Sequence, residues 1–174
     1  MSRRVMDTLK RFSPRVEEYS IDESFVDLSH YKPCELDDIS KAIKNTVFKH
    51  TGFPVGVGVA KTKSLSKLAN RYAKKVAKNR GVFVCDTEER RCALLKYIQI
   101  KDTWGIGKQH ARRLQNIGKH TAFDFAEMPV AWVRKHMTVI GERLWRELNN
   151  VNCLEFTTKP DHKKGIGTAK SFGH

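Results

Sequence analysis

Two adjacent carboxylates, Asp22 and Glu23, stand between two short runs rich in strand formers, VEEYSI at 16–21 and SFVDLS at 24–29. Neighbouring side chains on a regular strand point to opposite faces and share no ligand. At a hairpin tip that rule relaxes, and two carboxylates can converge on one cation. Oxygen-only donors favour Mg²⁺, which binds through one or two carboxylates plus substrate phosphates. The same pair also suits an ordinary polar turn, because Asp is a favoured turn residue.

Cationic groups gather in two places. Lys61, Lys63, Lys67, Arg71, Lys74, Lys75 and Lys78 fall within 18 positions, directly after the glycine-bearing run VGVGVA at 55–60. At 100° per residue, Lys67, Arg71, Lys74 and Lys78 form one stripe opposite Leu65, Leu68, Ala69, Tyr72 and Val76. A helix entered this way offers backbone N–H and ammonium groups to a polyphosphate, although the spacing of a phosphate loop is absent. A solvated basic face is the other reading. The second place is Trp104-Gly105-Ile106-Gly107-Lys108, followed by a basic helix with Arg112 and Arg113. Gly-x-Gly before a helix exposes successive N–H groups to a DNA phosphate. This context matches a helix-hairpin-helix, whose contacts hold the backbone and read no bases. A plain turn between helices is the alternative.

The elements that must position these groups follow from periodicity. Val5, Met6 and Leu9 sit at helical spacing before Ser13-Pro14, so residues 1–11 read as the end of an amphipathic helix. Residues 16–21 and 24–29 read as antiparallel strands with the acidic pair at their connection. Leu36, Ile39, Ile43 and Val47 mark a helix over 35–50, closed by Gly52. Residues 55–60 form a buried strand whose glycine face admits another backbone or a ligand. A helix over 64–78 and a strand over 82–86 complete an α+β layer. Beyond Thr87 the pattern turns helical, over 88–98, 108–117, 121–128, 130–137 and 140–149. These give a sheet domain (1–89), a helical domain (90–150) and an extended linker (151–174).

Length and composition bound the rest. The 174 residues carry 33 Lys+Arg against 19 Asp+Glu, a formal net charge of +14, which favours an anionic partner such as nucleic acid. No apolar run approaches the roughly 20 residues of a membrane span, and the first residues lack the apolar core of a secretory signal. Cys34, Cys85, Cys92 and Cys153 form no C-x-x-C pair and no zinc spacing with any His. A reduced, intracellular protein without a structural metal is expected.

Taken in order, SPRVEEYSIDESFVDLS, PVGVGVAKTKSLSKLANRYAKK and DTWGIGKQHARRLQNIG resemble the Y-family (translesion) DNA polymerases, of the UmuC type. The resemblance runs through almost the whole chain. It implies a partial antiparallel or mixed-sheet palm with packed helices, then a small all-helical thumb containing a helix-hairpin-helix. It assigns Asp22 and Glu23 to metal and catalysis, and Lys67, Arg71 and Lys74 to the incoming nucleotide. Gly105, Ile106, Gly107, Lys108, Arg112 and Arg113 fall to the DNA backbone, and Ser171-Phe172-Gly173 to the start of a little-finger domain. Mg²⁺ is the implied cofactor. Primer-template DNA, a dNTP, UmuD-type accessory subunits and a recombinase filament are the implied partners, in a bacterial cytoplasm during the SOS response.

The family pattern also places an Asp-bearing strand and an aromatic gate upstream of S-I-D-E. Only 21 residues precede Asp22, and none forms that motif. The expectation is a polymerase fragment that is inactive alone, since two-metal transfer needs carboxylates on both sides of the metals. Two other readings stand beside it. One is a non-catalytic DNA-binding module using the helical hairpin, and the other a basic assembly protein that meets nucleic acid through net charge.

Overall fold

The computed structural model describes residues 2–76 and 80–157. Helix α1 (Ser2–Leu9) leads into strands β1 (Val16–Glu18) and β2 (Ser24–Val26). These pair antiparallel, Val16 opposite Val26 and Glu18 opposite Ser24. A 3-10 turn (Pro33–Glu35) opens α2 (Leu36–Thr51), whose first turn carries Asp37 and Asp38 and whose last carries Lys49 and His50, both complementing the helix dipole. Strand β3 (Val57–Ala60), helix α3 (Lys63–Lys75) and strand β4 (Val82–Cys85) follow, β3 and β4 being parallel. The expected strand order is therefore present. The strands nevertheless form two separate two-stranded sheets rather than one.

Gly58 explains how α3 lies so close to β3. A Cβ at this position would collide with the backbone of Ser66, Ala69 and Asn70. The glycine face is thus covered by a helix, one of the two options its sequence left open. Thr62 caps α3 by accepting from the Leu65 amide. The helix expected over 64–78 ends earlier, at Lys75, because Val76 is extended (φ −100°, ψ 107°); Lys78 lies outside the described residues, as does Ser171-Phe172-Gly173.

Beyond β4 the chain is helical: α4 (Glu88–Tyr97), a 3-10 turn (Ile100–Asp102), α5 (Lys108–Asn116), α6 (Ala122–Ala126) and α7 (Val130–Leu148). Thr87 caps α4, and Thr121 with Asp124 forms a capping box on α6. Helix α7 covers the two helices expected over 130–137 and 140–149, with a break at Thr138 (φ 62°, ψ −166°) between them.

Two apolar clusters hold these elements. The larger runs from Leu65, Leu68 and Ala69 of α3 through Leu94, Leu114 and Phe125 to Leu148. The smaller joins Met6 and Leu9 of α1 to Ile43 and Val47 of α2, with Val16, Val26 and Val57 packed on it. Helix α3 accordingly turns its apolar side to the helical region and its glycine-contacting side to the sheet.

Candidate active site

The acidic pair sits where the sequence places it, in the connection between β1 and β2. The amides of Tyr19 and Ser20 both donate to the Glu23 carbonyl, which folds the connection back on itself. Asp22 is exposed, and its carboxylate accepts from the Ser20 hydroxyl at 2.7 Å. Glu23 points across to α3, where the Lys67 ammonium donates to its carboxylate at 2.8 Å. That ammonium lies 4.3 Å from the Tyr19 ring centroid and 4.6 Å from that of Trp104. The two rings meet edge to face at 5.9 Å. Cation–π attraction holds the lysine in place between β1–β2, α3 and the turn before α5.

An open cavity of about 910 Å³ separates β1–β2 from β3 and α3. Asp22, Glu23, Lys61, Lys63, Lys67 and Lys74 are among its lining residues. The structure thus gathers four predicted site residues (Asp22, Glu23, Lys67 and Lys74) around one space. Arg71 is not among the residues that line it, and its guanidinium pairs with Asp102 at 2.7 Å. Lys74, by contrast, has no ion-pair partner among the described residues and stays exposed.

Lys63, on the helix face one turn before Lys67, is only 13% exposed and pairs with Glu17 of β1. Its ammonium also donates to the Glu155 carbonyl, and the Thr157 amide donates to Glu17. Residues 151–157 are therefore tied back to the sheet. Burial pushes the Cys85 thiol up to about 11, so this residue at the end of β4 stays a neutral apolar filler. Asp27, another lining residue, is held below the ordinary carboxylate range by the Ser29 amide, with Arg15 at 2.9 Å adding to it.

The Gly-x-Gly turn stands apart from this cavity, and Trp104 just before it packs against the Lys67 ammonium. Gly105 has φ 86°, a left-handed conformation that a side chain strains. Gly107 is the N-cap of α5. Ile106 is buried and anchors the turn, while Lys108, Arg112 and Arg113 are exposed. Arg113 donates to the His136 carbonyl at 3.3 Å. The segment just before the turn is the 3-10 turn Ile100–Asp102, and α4 ends earlier at Tyr97.

Several pairings of the site escape a reading of the sequence. Tyr19 and Trp104 flank Lys67, and Glu17 and Lys63 form a second carboxylate–ammonium pair beside the first. Lys63 precedes Lys67 by one helical turn, a signal that extends the basic stripe backwards. Nothing local points to Glu17 or Tyr19, or to Trp104 as a neighbour of Lys67.

As to a cation, Asp22 and Glu23 supply hard oxygen donors at the rim of an open space, which is the chemistry Mg²⁺ takes. Among the described residues no group of three or more His, Cys, Asp or Glu side chains gathers to hold a metal. Two carboxylates leave most coordination positions to water and substrate, in keeping with Mg²⁺ rather than with a closed protein cage.

The chain is similar to known proteins along almost its whole length. A profile of the impB/mucB/samB family matches residues 1–71. Protein UmuC of Salmonella typhimurium is 43% identical over 175 residues, covering 99% of this chain and 42% of that protein. DNA polymerase IV 2 of Halalkalibacterium halodurans is 28% identical, covering all of this chain and 43% of its own length. In structure the chain matches DinB from Sulfolobus solfataricus with a TM-score of 0.68 and 25% identity, over 86% of this chain and 43% of that one. The chain spans about two fifths of the length of the curated relatives it matches.

Proposed function

We propose that this stretch of chain belongs with the UmuC-type Y-family sequences and serves template-directed DNA synthesis past damaged bases. The observation that carries the reading is Glu23 facing Lys67 across a cavity that also exposes Asp22 and Lys74. Carboxylates on one wall and ammonium groups on the other suit a divalent cation and a triphosphate together.

In this reading Asp22 and Glu23 hold Mg²⁺, which when bound neutralises charge on the transferring phosphoryl group. Lys74 takes the triphosphate, and Lys67 exchanges its Glu23 contact for a phosphate as nucleotide enters. Arg71 joins them on leaving Asp102. Residues 1–89 act as palm and residues 90–150 as thumb, with 151–174 leading onward. Gly105, Ile106, Gly107, Lys108, Arg112 and Arg113 grip the DNA backbone as a helix-hairpin-helix. UmuD-type subunits, a recombinase filament and a bacterial cytoplasm complete the proposed setting. No helix among the described residues is long and apolar enough to cross a membrane.

The experiment is binding of a dNTP in the presence of Mg²⁺, followed through Trp104 fluorescence, beside primer extension. Asp22→Ala is expected to weaken Mg²⁺-dependent binding about tenfold, the loss of a charge-assisted contact of ~1.4 kcal/mol. Undetectable extension together with unchanged metal and dNTP binding in Asp22→Ala would sink the reading. Exposure of Lys108, Arg112 and Arg113 favours, as a second reading, a non-catalytic DNA-binding module. Lys108→Glu then removes most duplex affinity and lowers the salt slope by about 0.9, with no effect of dNTP or Mg²⁺.

A further inference from the structure

Strand β4 pairs with β3 along one edge, and no strand among the described residues covers the other. The Val57 amide donates to the Gly81 carbonyl, and Val57 stands opposite Val82. Gly81 and Phe83 therefore turn their N–H and C=O groups toward β3. By the alternation of a strand, Val82 and Val84 turn theirs outward. The Val84 carbonyl accepts from the Arg90 guanidinium at 3.2 Å. The Val82 N–H and C=O and the Val84 N–H have no partner among the described residues, and such groups gain free energy on pairing.

A second open cavity, of about 540 Å³, borders this edge, with α2 as its other wall. Asp37, Lys41, Lys44 and Asn45 line it from one polar stripe of α2. The Lys44 stem lies over Gly81, its ammonium 3.7 Å from where a Cβ would stand. One cation thus sits at the start of β4 and another, Arg90, at its end, with Arg80 just ahead of the strand. Lys41 pairs with Asp38 at 3.3 Å, and Arg90 with Asp86 at 3.0 Å and Asp37 at 3.7 Å. The side chains of Lys44 and Arg80 have no partner among the described residues. Two uncompensated cations therefore flank an unpaired strand edge.

The occupant follows from what such an edge accepts. Donors and acceptors alternate along it, which an extended peptide matches and a small anion does not. Asp37 in the wall, with Asp38 and Asp86 beside the other cations, repels a continuous run of phosphates, whereas separate carboxylates can avoid them. A second copy of this chain would bring its own Lys44 and Arg80 against these, on a net charge of +14, and like charges oppose edge-to-edge pairing. From sheet spacings, each residue of a strand fills roughly 160 Å³, so a space of about 540 Å³ accepts roughly three residues, the span of Val82–Val84. We propose that the outer edge of β4 docks an extended acidic segment of a partner protein, its backbone pairing with Val82 and Val84 and its carboxylates meeting Lys44 and Arg80. Neither cation belongs to the candidate active site, so docking here does not depend on what that site binds.

The test adds a capped pentapeptide, Glu-Val-Glu-Val-Glu, to the full chain and follows amide hydrogen exchange residue by residue. With peptide at about ten times its dissociation constant, exchange at Val82 and Val84 should slow about tenfold. Phe83, whose amide already faces β3, should respond much less. The same peptide with Lys for Glu, or with Pro at its centre, should protect neither. Lys44→Met keeps the stem over Gly81, and Arg80→Gly suits a φ of 47°. Each should weaken the peptide about tenfold by removing a charge-assisted contact, with circular dichroism unchanged. No saturable protection of Val82 and Val84 in the unmodified chain overturns the proposal, as does equal protection by the Lys peptide. Stronger protection of these two amides by a single-stranded oligothymidylate also overturns it, assigning the edge to nucleic acid. So does protection present without peptide and lost on dilution, which assigns the edge to a second copy of the chain.

Discussion

In the helical region Leu94, Leu95, Ile100, Leu114 and Phe125 are wholly shielded from solvent, and α3 contributes Leu65 to the same cluster. In the sheet region no residue of β1, β2 or β3 is fully buried, and four residues of α1 and α2 make up the buried part of its cluster. Helix-end caps do not separate the regions: Thr87 and Thr121 cap α4 and α6, and Thr62 caps α3, while α2, α5 and α7 start without a side-chain cap. The carboxylates and lysines lie in the loosely packed region, bordering open space. Groups that must admit a ligand are drawn from the part of a molecule that opens at least cost, while the dense part supplies the scaffold.

The strongest way to break this contrast is to cut both cores. Phe125→Ala should lose about 3–5 kcal/mol, read from urea unfolding, because its cavity forms in packed surroundings. Ile43→Ala should fall near the low end of the range for its type, about 2 kcal/mol, since neighbouring strands can close on the space. Equal losses would remove the distinction between the regions.

Glu147 sharpens the boundary between them. It is fully buried, and its carboxylate accepts from the amides of Ser64, Cys153 and Leu154. One side chain of α7 therefore fastens the start of α3 and the segment after the helices. Glu147→Gln keeps the shape but turns an N–H₂ group toward donors, and should cost about 2–3 kcal/mol. If the helical region alone melted early in this variant, the fastening role would be wrong.

A smaller effect is confined to the helical region. Burial pushes the Asp124 carboxyl up, but the amides of Thr121 and His120 more than offset it and hold it below 3.8. A lowered carboxyl contributes stability above its unfolded value and loses it as pH falls through the folded one. Asp124→Asn should thus cost about 1 kcal/mol at pH 7 and flatten the loss of stability below pH ~4. An unchanged acid limb would assign that loss to other carboxylates.

The last prediction moves no stability. A thiol reagent at neutral pH should label exposed Cys34 first and buried Cys85 last, followed by mass spectrometry. Early labelling of Cys85 would place the end of β4 in the open region instead of the packed one.

Much of this architecture is legible along the chain. The 3.6-residue spacing of Leu36, Ile39, Ile43 and Val47 finds α2 to within a residue at each end, and the break between residues 137 and 140 is real. The acidic pair, Lys67, Arg71 and Lys74 of the basic stripe, and the G-I-G-K turn lie where local pattern puts them. The pairing within the site was not legible. Lys67 is 44 residues from Glu23, Lys63 is 46 from Glu17, and Thr157 is 140 from Glu17. No periodicity carries information over such separations.

By itself, then, the sequence determined the elements and the chemical types at their ends, because propensity, capping and amphipathic spacing act within a few residues. Tertiary structure alone decided that Lys67 would be caged by Tyr19 and Trp104 against Glu23, that Arg71 would turn to Asp102, and that the strands would stand as two sheets with a trough between them. Those outcomes depend on how α3 packs on both regions at once. Packing is a property of the whole chain, and distance in sequence says nothing about it.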